Sequence, residues 1–155
     1  MPPLIELPES LLSLFLAAGW PTTCTEPLPG FVPPAHPAAA LLEQLAGLKV
    51  GTCGAGEECA TSDVEFGTFE HLHGSEELIE WQQRLGRTLV SIAEIHHGHG
   101  ALLMDEQGYC YVLSLIHDGF WIQGQTFVKA METLIFGRKA GESVQLAVPG
   151  AIPDI

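Results

Sequence analysis

Residues 89–138 leave this chain few architectures to choose from, because each local signal agrees with the next. Residues 89–95 form an apolar run of strand length, followed by a Gly/His turn at 96–100 and a second run at 101–104. Asp105-Glu106-Gln107-Gly108 reads as a three-residue hairpin connection: the aspartate begins a type I turn, and Gly108 supplies the positive φ of the closing bulge. Residues 109–116 are rich in the aromatic and branched side chains that suit a pleated surface. Asp118-Gly119 marks a two-residue turn before a short strand at 120–123. Gly124 breaks the pattern, and Thr126 stands where a helix N-cap belongs. Phe127, Ala130, Met131, Leu134 and Ile135 then fall at i, i+3, i+4, i+7 and i+8, one apolar face of a helix. Gly137 ends it, with Arg138 and Lys139 beside the negative end of its dipole. The prediction is an antiparallel meander closed by an amphipathic helix.

Three more helices are predicted ahead of it. Pro8 suits a first turn, Leu11, Leu12, Phe15 and Leu16 give an apolar face, and Gly19 ends the element. Residues 21–35, with prolines at 21, 27, 29, 33 and 34, read as an extended surface segment. Pro37 opens a second helix with Leu41, Leu42, Leu45 and Leu48 facing inward, and residues 48–50 begin a strand. Residues 51–61 are Gly-, Cys- and Glu-rich without periodicity, which predicts a mobile loop; 62–69 reads as a strand. Ser75 caps a third helix, with Glu76 and Glu77 in its first turn and Leu78, Ile79, Trp81 or Gln82, and Leu85 along its seam. A last short strand is expected at 144–148. With no internal repeat and no linker, the 155 residues are expected to form one domain, its core at about 8–148.

Nineteen acids against six bases give a formal charge of −13. Phosphate recognition needs clustered Lys and Arg, so nucleic acid is excluded as a partner class, and anionic membranes are disfavoured in the same way. No apolar run approaches the ~20 residues that span a bilayer, and no basic residue precedes the N-terminal apolar stretch as it would in a secretory signal. Cys24, Cys53, Cys59 and Cys110 are unevenly spaced in a chain too large to need staples, which predicts reduced thiols in a cytoplasmic protein. The acids are concentrated. Glu57, Glu58, Asp63, Glu65, Glu70, Glu76, Glu77 and Glu80 lie between Lys49 and Arg84, 34 residues without a single Lys or Arg. Such a stretch gives up the opposite-charge pairs of an ordinary surface; it is either a solvated face or a surface for a basic protein.

Signals for bond chemistry are weaker. His96-His97-Gly98-His99 offers imidazoles, with Glu94 or His117 as further donors, but neighbouring residues on a strand cannot share one site, and exposed polar residues belong in turns. Cys53-x5-Cys59 followed by His71 and His73 departs from the common zinc spacings. The glycines at 51, 54 and 56 lack a lysine and precede Glu57-Glu58, so they would repel phosphate. No nucleophile elbow is present. The reading is a binding protein with no cofactor, metal or catalytic residue.

Several motifs together resemble a known family. Ala17-Ala18-Gly19-Trp20 closes the first helix and Leu45-Ala46-Gly47-Leu48 the second. Leu102 to Tyr111, with Asp105 and Gly108, forms the hairpin, and Gly124 is followed by Ala130, Leu134, Gly137 and Arg138. In these respects the chain is similar to bacterial immunity proteins of the SUKH superfamily, its third subfamily in particular, from about Leu11 to Arg138. Ser91-Ile92-Ala93 stands where that family commonly has Pro-Val-Gly, and Thr22-Thr23 where a basic residue is frequent. The resemblance implies an α+β fold, a single mixed, mainly antiparallel sheet flanked by helices. It also implies non-enzymatic neutralisation of a cognate polymorphic, contact-dependent toxin by stoichiometric binding in the cytosol. The acidic charge points to a basic, nucleic-acid-targeting toxin. Glu57, Glu58, Asp63, Glu65, Glu70, Glu76, Glu77 and Glu80 are the expected contact residues, with Trp81 and Trp121 as anchors. The rival classes are an intracellular scaffold or regulatory adaptor on the same fold and, third, a small metal-dependent hydrolase using the His96 turn.

Overall fold

A computed structural model describes residues 6–20, 28–57, 60–115 and 119–138. The strand expected at 144–148, residues 21–27 of the proline-rich segment and Asp118 lie outside them. Helix α1 (Glu9–Ala18) follows Pro8 and ends at Gly19, whose φ of +112° is the left-handed cap that glycine adopts without strain. Leu11 and Phe15 are fully buried, but Leu16, expected on the same face, is 52% exposed: α1 packs through a narrow stripe. Helix α2 (Pro37–Leu45) has its proline at the first turn. Its N-cap is His36, a residue the sequence reading passed over. His36 Nδ1 accepts the Ala38 N–H at 3.1 Å, which leaves the ring proton on Nε2 to be donated to the Thr88 carbonyl at 2.9 Å.

The next segment is more structured than a loop. After β1 (Lys49–Val50), strands β2 (Gly54–Ala55) and β3 (Ala60–Thr61) pair as a small antiparallel hairpin. It is tied to the end of the last helix, where the Glu57 and Ser62 N–H groups donate to the Phe136 and Leu134 carbonyls. These are carbonyls that a helix end leaves without intrahelical partners. Strand β4 is shorter than expected (Val64–Phe66), and residues 70–73 form a one-turn helix, α3 (Glu70–His73). Helix α4 (Glu76–Leu85) has the predicted cap, with Leu78 N–H donating to Ser75 Oγ, and stops at Gly86. Leu78 and Trp81 form its buried seam, whereas Ile79 is 41% exposed.

Strands β5 (Val90–Ile95), β6 (Gly100–Met104), β7 (Cys110–Ser114) and β8 (Phe120–Gly124) complete the predicted meander, and α5 (Phe127–Phe136) closes it between Thr126 and Gly137. The six-stranded sheet has the order β1-β4-β5-β6-β7-β8, and every described pairing in it is antiparallel. Alternation divides its side chains between two cores. Val64, Phe66, Leu102 and Val112 point to α1, α2 and α5. Leu103, Tyr111, Leu113 and Phe120 point to α3 and α4. With both faces covered, the central strands are buried along their length, which is why they read as continuous apolar runs. A bulge between Ser91 and Ala93 turns Ile92 and Ala93 to the same core, at the place where the resembled family commonly has Pro-Val-Gly. Gly124 is required by packing: a Cβ there would lie 2.5 Å from the Ala130 nitrogen.

Candidate functional site

The structure sorts the ten expected contact residues into three groups, with Glu80 in both of the first two. Glu65, Glu70, Glu76, Glu77 and Glu80 lie on one side of the sheet. Val64 and Phe66 point to the α1/α2/α5 core, so Glu65 between them points the other way, and the remaining four acids are carried by α3 and α4 on that side. Glu65 pairs in register with Glu94 of β5, which adds an acid the sequence reading had considered only as a metal donor. Like charges directly opposite on neighbouring strands repel. Once the strand is in register, alternation alone would have found Glu94.

A second group is neutralised within the protein. Glu57 pairs with Arg138 at 3.0 Å, from 81 residues away, and the same guanidinium meets Glu132 at 3.0 Å. Glu80 takes Arg84 one helical turn on, at 2.8 Å. The absence of Lys and Arg inside the stretch is therefore compensated from its boundaries and from the end of α5. Both pairs are exposed and contribute little to stability.

The third group is undescribed, buried or half-buried. Glu58 lies outside the described residues. Asp63 is buried, its carboxylate contacted by the His97 N–H at 2.9 Å, Cys53 Sγ at 3.2 Å and Lys49 Nζ at 3.8 Å. Burial alone would raise its pKa, but the hydrogen bonds from His97 and Cys53 outweigh that and hold it below the usual carboxylate value. Trp81 is 0% exposed and stacks on Phe120 with ring centroids 4.3 Å apart, so in the folded protein it is a core residue, not a surface anchor. Trp121 is half-buried, its Nε1 donating to Gln123 Oε1 at 2.8 Å. With His96, His99, Gly100, Val112 and Ser114 it lines a concavity of about 310 Å³.

Among the described residues, the zinc set considered from spacing is not assembled. His73 is drawn into the α3–β5 contact, its ring stacked on Phe31 and its Nε2 accepting the Ser91 N–H at 3.1 Å; Cys59 lies outside the described residues. An imidazole nitrogen that accepts a backbone N–H must be unprotonated, and burial lowers the His73 pKa to about 4. In the unfolded chain the group titrates near 6.5, so between these values the unfolded state binds a proton that the folded state does not. The resulting stability is complete above the upper value and is lost as pH falls toward the lower one. His73→Gln is expected to flatten the fall in urea midpoint between pH 6.5 and 4. An unchanged slope would show that the ring is not held neutral.

No helix among the described residues is long and apolar enough to cross a membrane. No curated protein and no solved structure matches the chain significantly. The family model described as SUKH-3 immunity protein matches residues 29–137, from the turn before α2 to the glycine that ends α5. That span holds the whole six-stranded sheet and the helices on both of its faces, apart from α1. Such proteins act by binding a toxin rather than by catalysis, which implies a cognate toxin as partner. The chain belongs to the SUKH-3 immunity protein family.

Proposed function

We propose that this protein neutralises a basic, nucleic-acid-targeting toxin in the cytosol by stoichiometric binding, and that the toxin docks on the α3/α4 side of the sheet. The observation that carries the reading is the Glu65–Glu94 cross-strand pair, two acids in register on the side of the sheet where α3 and α4 carry Glu70 and Glu76. Juxtaposed like charges cost stability in the free protein, and a cationic partner removes that cost. The whole-chain charge of −13 adds long-range attraction. A toxin that binds nucleic acid presents a basic cleft, and carboxylates are the groups that compete for it.

The test is growth of a sensitive bacterium expressing a toxin gene encoded beside this protein's own gene, with this protein wild type, absent, or carrying Glu65→Lys, Glu70→Lys and Glu76→Lys together. The three positions are exposed. Glu65→Lys relieves the repulsion with Glu94, while Glu76→Lys loses a favourable helix-dipole contact of up to about 1 kcal/mol. The fold is expected to survive. Protection should be lost, and the association rate with purified toxin should fall by roughly tenfold or more at low salt. Protection by the wild type and also by the folded triple variant would move the interface elsewhere. No protection by the wild type would end the assignment to that toxin.

A further inference from the structure

Cys53, Asp63 and His97 come from three separate segments: the link between β1 and β2, the residue ahead of β4, and the turn between β5 and β6. Their donor atoms all lie within 4.8 Å of one another. We propose that these three side chains bind a zinc-like divalent transition ion, through Cys53 Sγ, the Asp63 carboxylate and His97 Nδ1, with a fourth position open to solvent.

Distances carry the argument first. Donors on a tetrahedral ion with bonds of about 2.0–2.3 Å stand roughly 3.3–3.8 Å apart. Cys53 Sγ is 3.2 Å from Asp63 Oδ1 and His97 Nδ1 is 3.6 Å from Asp63 Oδ2, so the carboxylate already stands near ligand spacing from each of the other two donors. The two contacts use different carboxylate oxygens, and a carboxylate can bind through either or both. One sulfur, one imidazole and one carboxylate is a donor set for zinc and its neighbours, not for magnesium or calcium, which take oxygen.

The backbone holds the histidine in place. His96 and His97 have φ values of +50° and +55°, a left-handed conformation that side-chain-bearing residues seldom adopt. Ser62 Oγ accepts the His96 N–H and Asp63 Oδ1 the His97 N–H, both at 2.9 Å. The buried carboxylate that would ligate the ion thus also fixes the turn that presents the imidazole, a coupling typical of ligand positioning by outer contacts. Neighbouring residues on a regular strand could not be placed this way; a left-handed turn places them.

Binding requires one proton to leave. The Cys53 S–H bond breaks, the proton passes to solvent, and a sulfur–metal bond replaces the S–H···Oδ1 hydrogen bond, with no change of oxidation state. His97 binds through its Nδ1 lone pair with its proton on Nε2. Lys49, whose side chain is 57% exposed, withdraws its ammonium from Asp63 toward water.

Cobalt(II) titration of the reduced, untagged full chain tests the site, because a thiolate ligand produces charge-transfer absorption in the near ultraviolet and a tetrahedral ion produces strong visible bands. Wild type should bind one equivalent with both signals, and zinc should bleach them. Cys53→Ala should lose the charge-transfer band, and His97→Asn should bind at least tenfold more weakly. Cys53 and His97 are exposed, and asparagine tolerates the left-handed backbone, so both variants are expected to fold. Absence of the signals in wild type, a charge-transfer band that persists in Cys53→Ala, or unchanged affinity in His97→Asn would each overturn the proposal.

Discussion

Trp81→Ala is expected to destabilise the protein by about 3–5 kcal/mol, the cost of removing a large aromatic side chain from a closed core. Trp81 has no exposed surface and lies at one end of a ring stack: its indole is 4.3 Å from the Phe120 ring, and Phe120 is 5.4 Å from Tyr111. Through this stack α4 is held to β7 and β8. Its indole N–H finds no acceptor among the described residues, so the ring contributes packing and not a hydrogen bond. Trp81→Phe keeps an aromatic ring on Phe120 and deletes that N–H, and should therefore cost less than half as much as the alanine variant. Urea unfolding of the three proteins measures the ranking. A Trp81→Ala protein of wild-type stability that no longer protects against toxin would make this residue an interface anchor after all.

The two readings of Trp81, helix seam and contact anchor, show what a helix pattern does and does not reveal. Seam residues recur every three or four positions, but a partner's apolar anchor on an exposed face can carry the same spacing. Only the sheet behind α4 decides between them. Leu16 and Ile79 are the converse case: they fit an apolar stripe and are exposed, because α1 and α4 each bury a narrower stripe than the sequence suggests. Caps and turns were legible because each is set by one or two local residues, as at Ser75, Thr126, Gly19, Gly108 and Gly137. The short α3 and the β2–β3 hairpin were not, since two to four residues carry no period.

Charge was legible as a total but not as a distribution. The stretch between Lys49 and Arg84 contains no base, yet Lys49 itself approaches Asp63, Arg84 takes Glu80, and Arg138 reaches back to Glu57. Pairings made by the fold across 81 residues leave no trace in local composition. The same holds for the Cys53–Asp63–His97 cluster. Sequence reading set Cys53 beside Cys59 and the histidines of α3, and set His97 beside its neighbours in the turn; the β1–β4 and β4–β5 registers bring the three together instead.

Asp105→Ala is expected to cost about 3–5 kcal/mol, because it removes the buried partner of a part-buried ion pair together with the acceptor of three further hydrogen bonds. The sequence marks Asp105 only as the first residue of a turn, and Gly108 does close that turn with φ of +91°. The carboxylate does more. It is fully buried, and its four contacts join the hairpin to the chain ahead of β5. Oδ1 accepts the Gln107 and Tyr109 N–H groups at 2.8 and 3.0 Å, while Oδ2 accepts from Arg87 Nη1 at 2.5 Å and Tyr111 Oη at 2.7 Å. The hydrogen bond to Asp105 raises the Arg87 pKa, and burial followed by the same carboxylate raises that of Tyr111, so both remain protonated donors. Arg87 also lies over the Tyr109 ring, 5.1 Å from its centre. Asp105→Asn retains an oxygen for the two backbone groups but sets an amide NH2 against a guanidinium that can only donate. Its expected cost is intermediate, roughly 1.5–3 kcal/mol, the value of a hydrogen bond to a charged group. Because the Asp105 carboxylate is fully buried, neither loss should depend much on salt, unlike the association rate of the acidic surface. Urea midpoints at two salt concentrations separate the cases. If Asp105→Asn proves as stable as wild type, the carboxylate's charge plays no part in holding the hairpin. If Asp105→Ala weakens protection in cells, its remaining folded fraction should still bind toxin at the wild-type rate, since the residue stabilises the hairpin from inside and presents nothing to a partner.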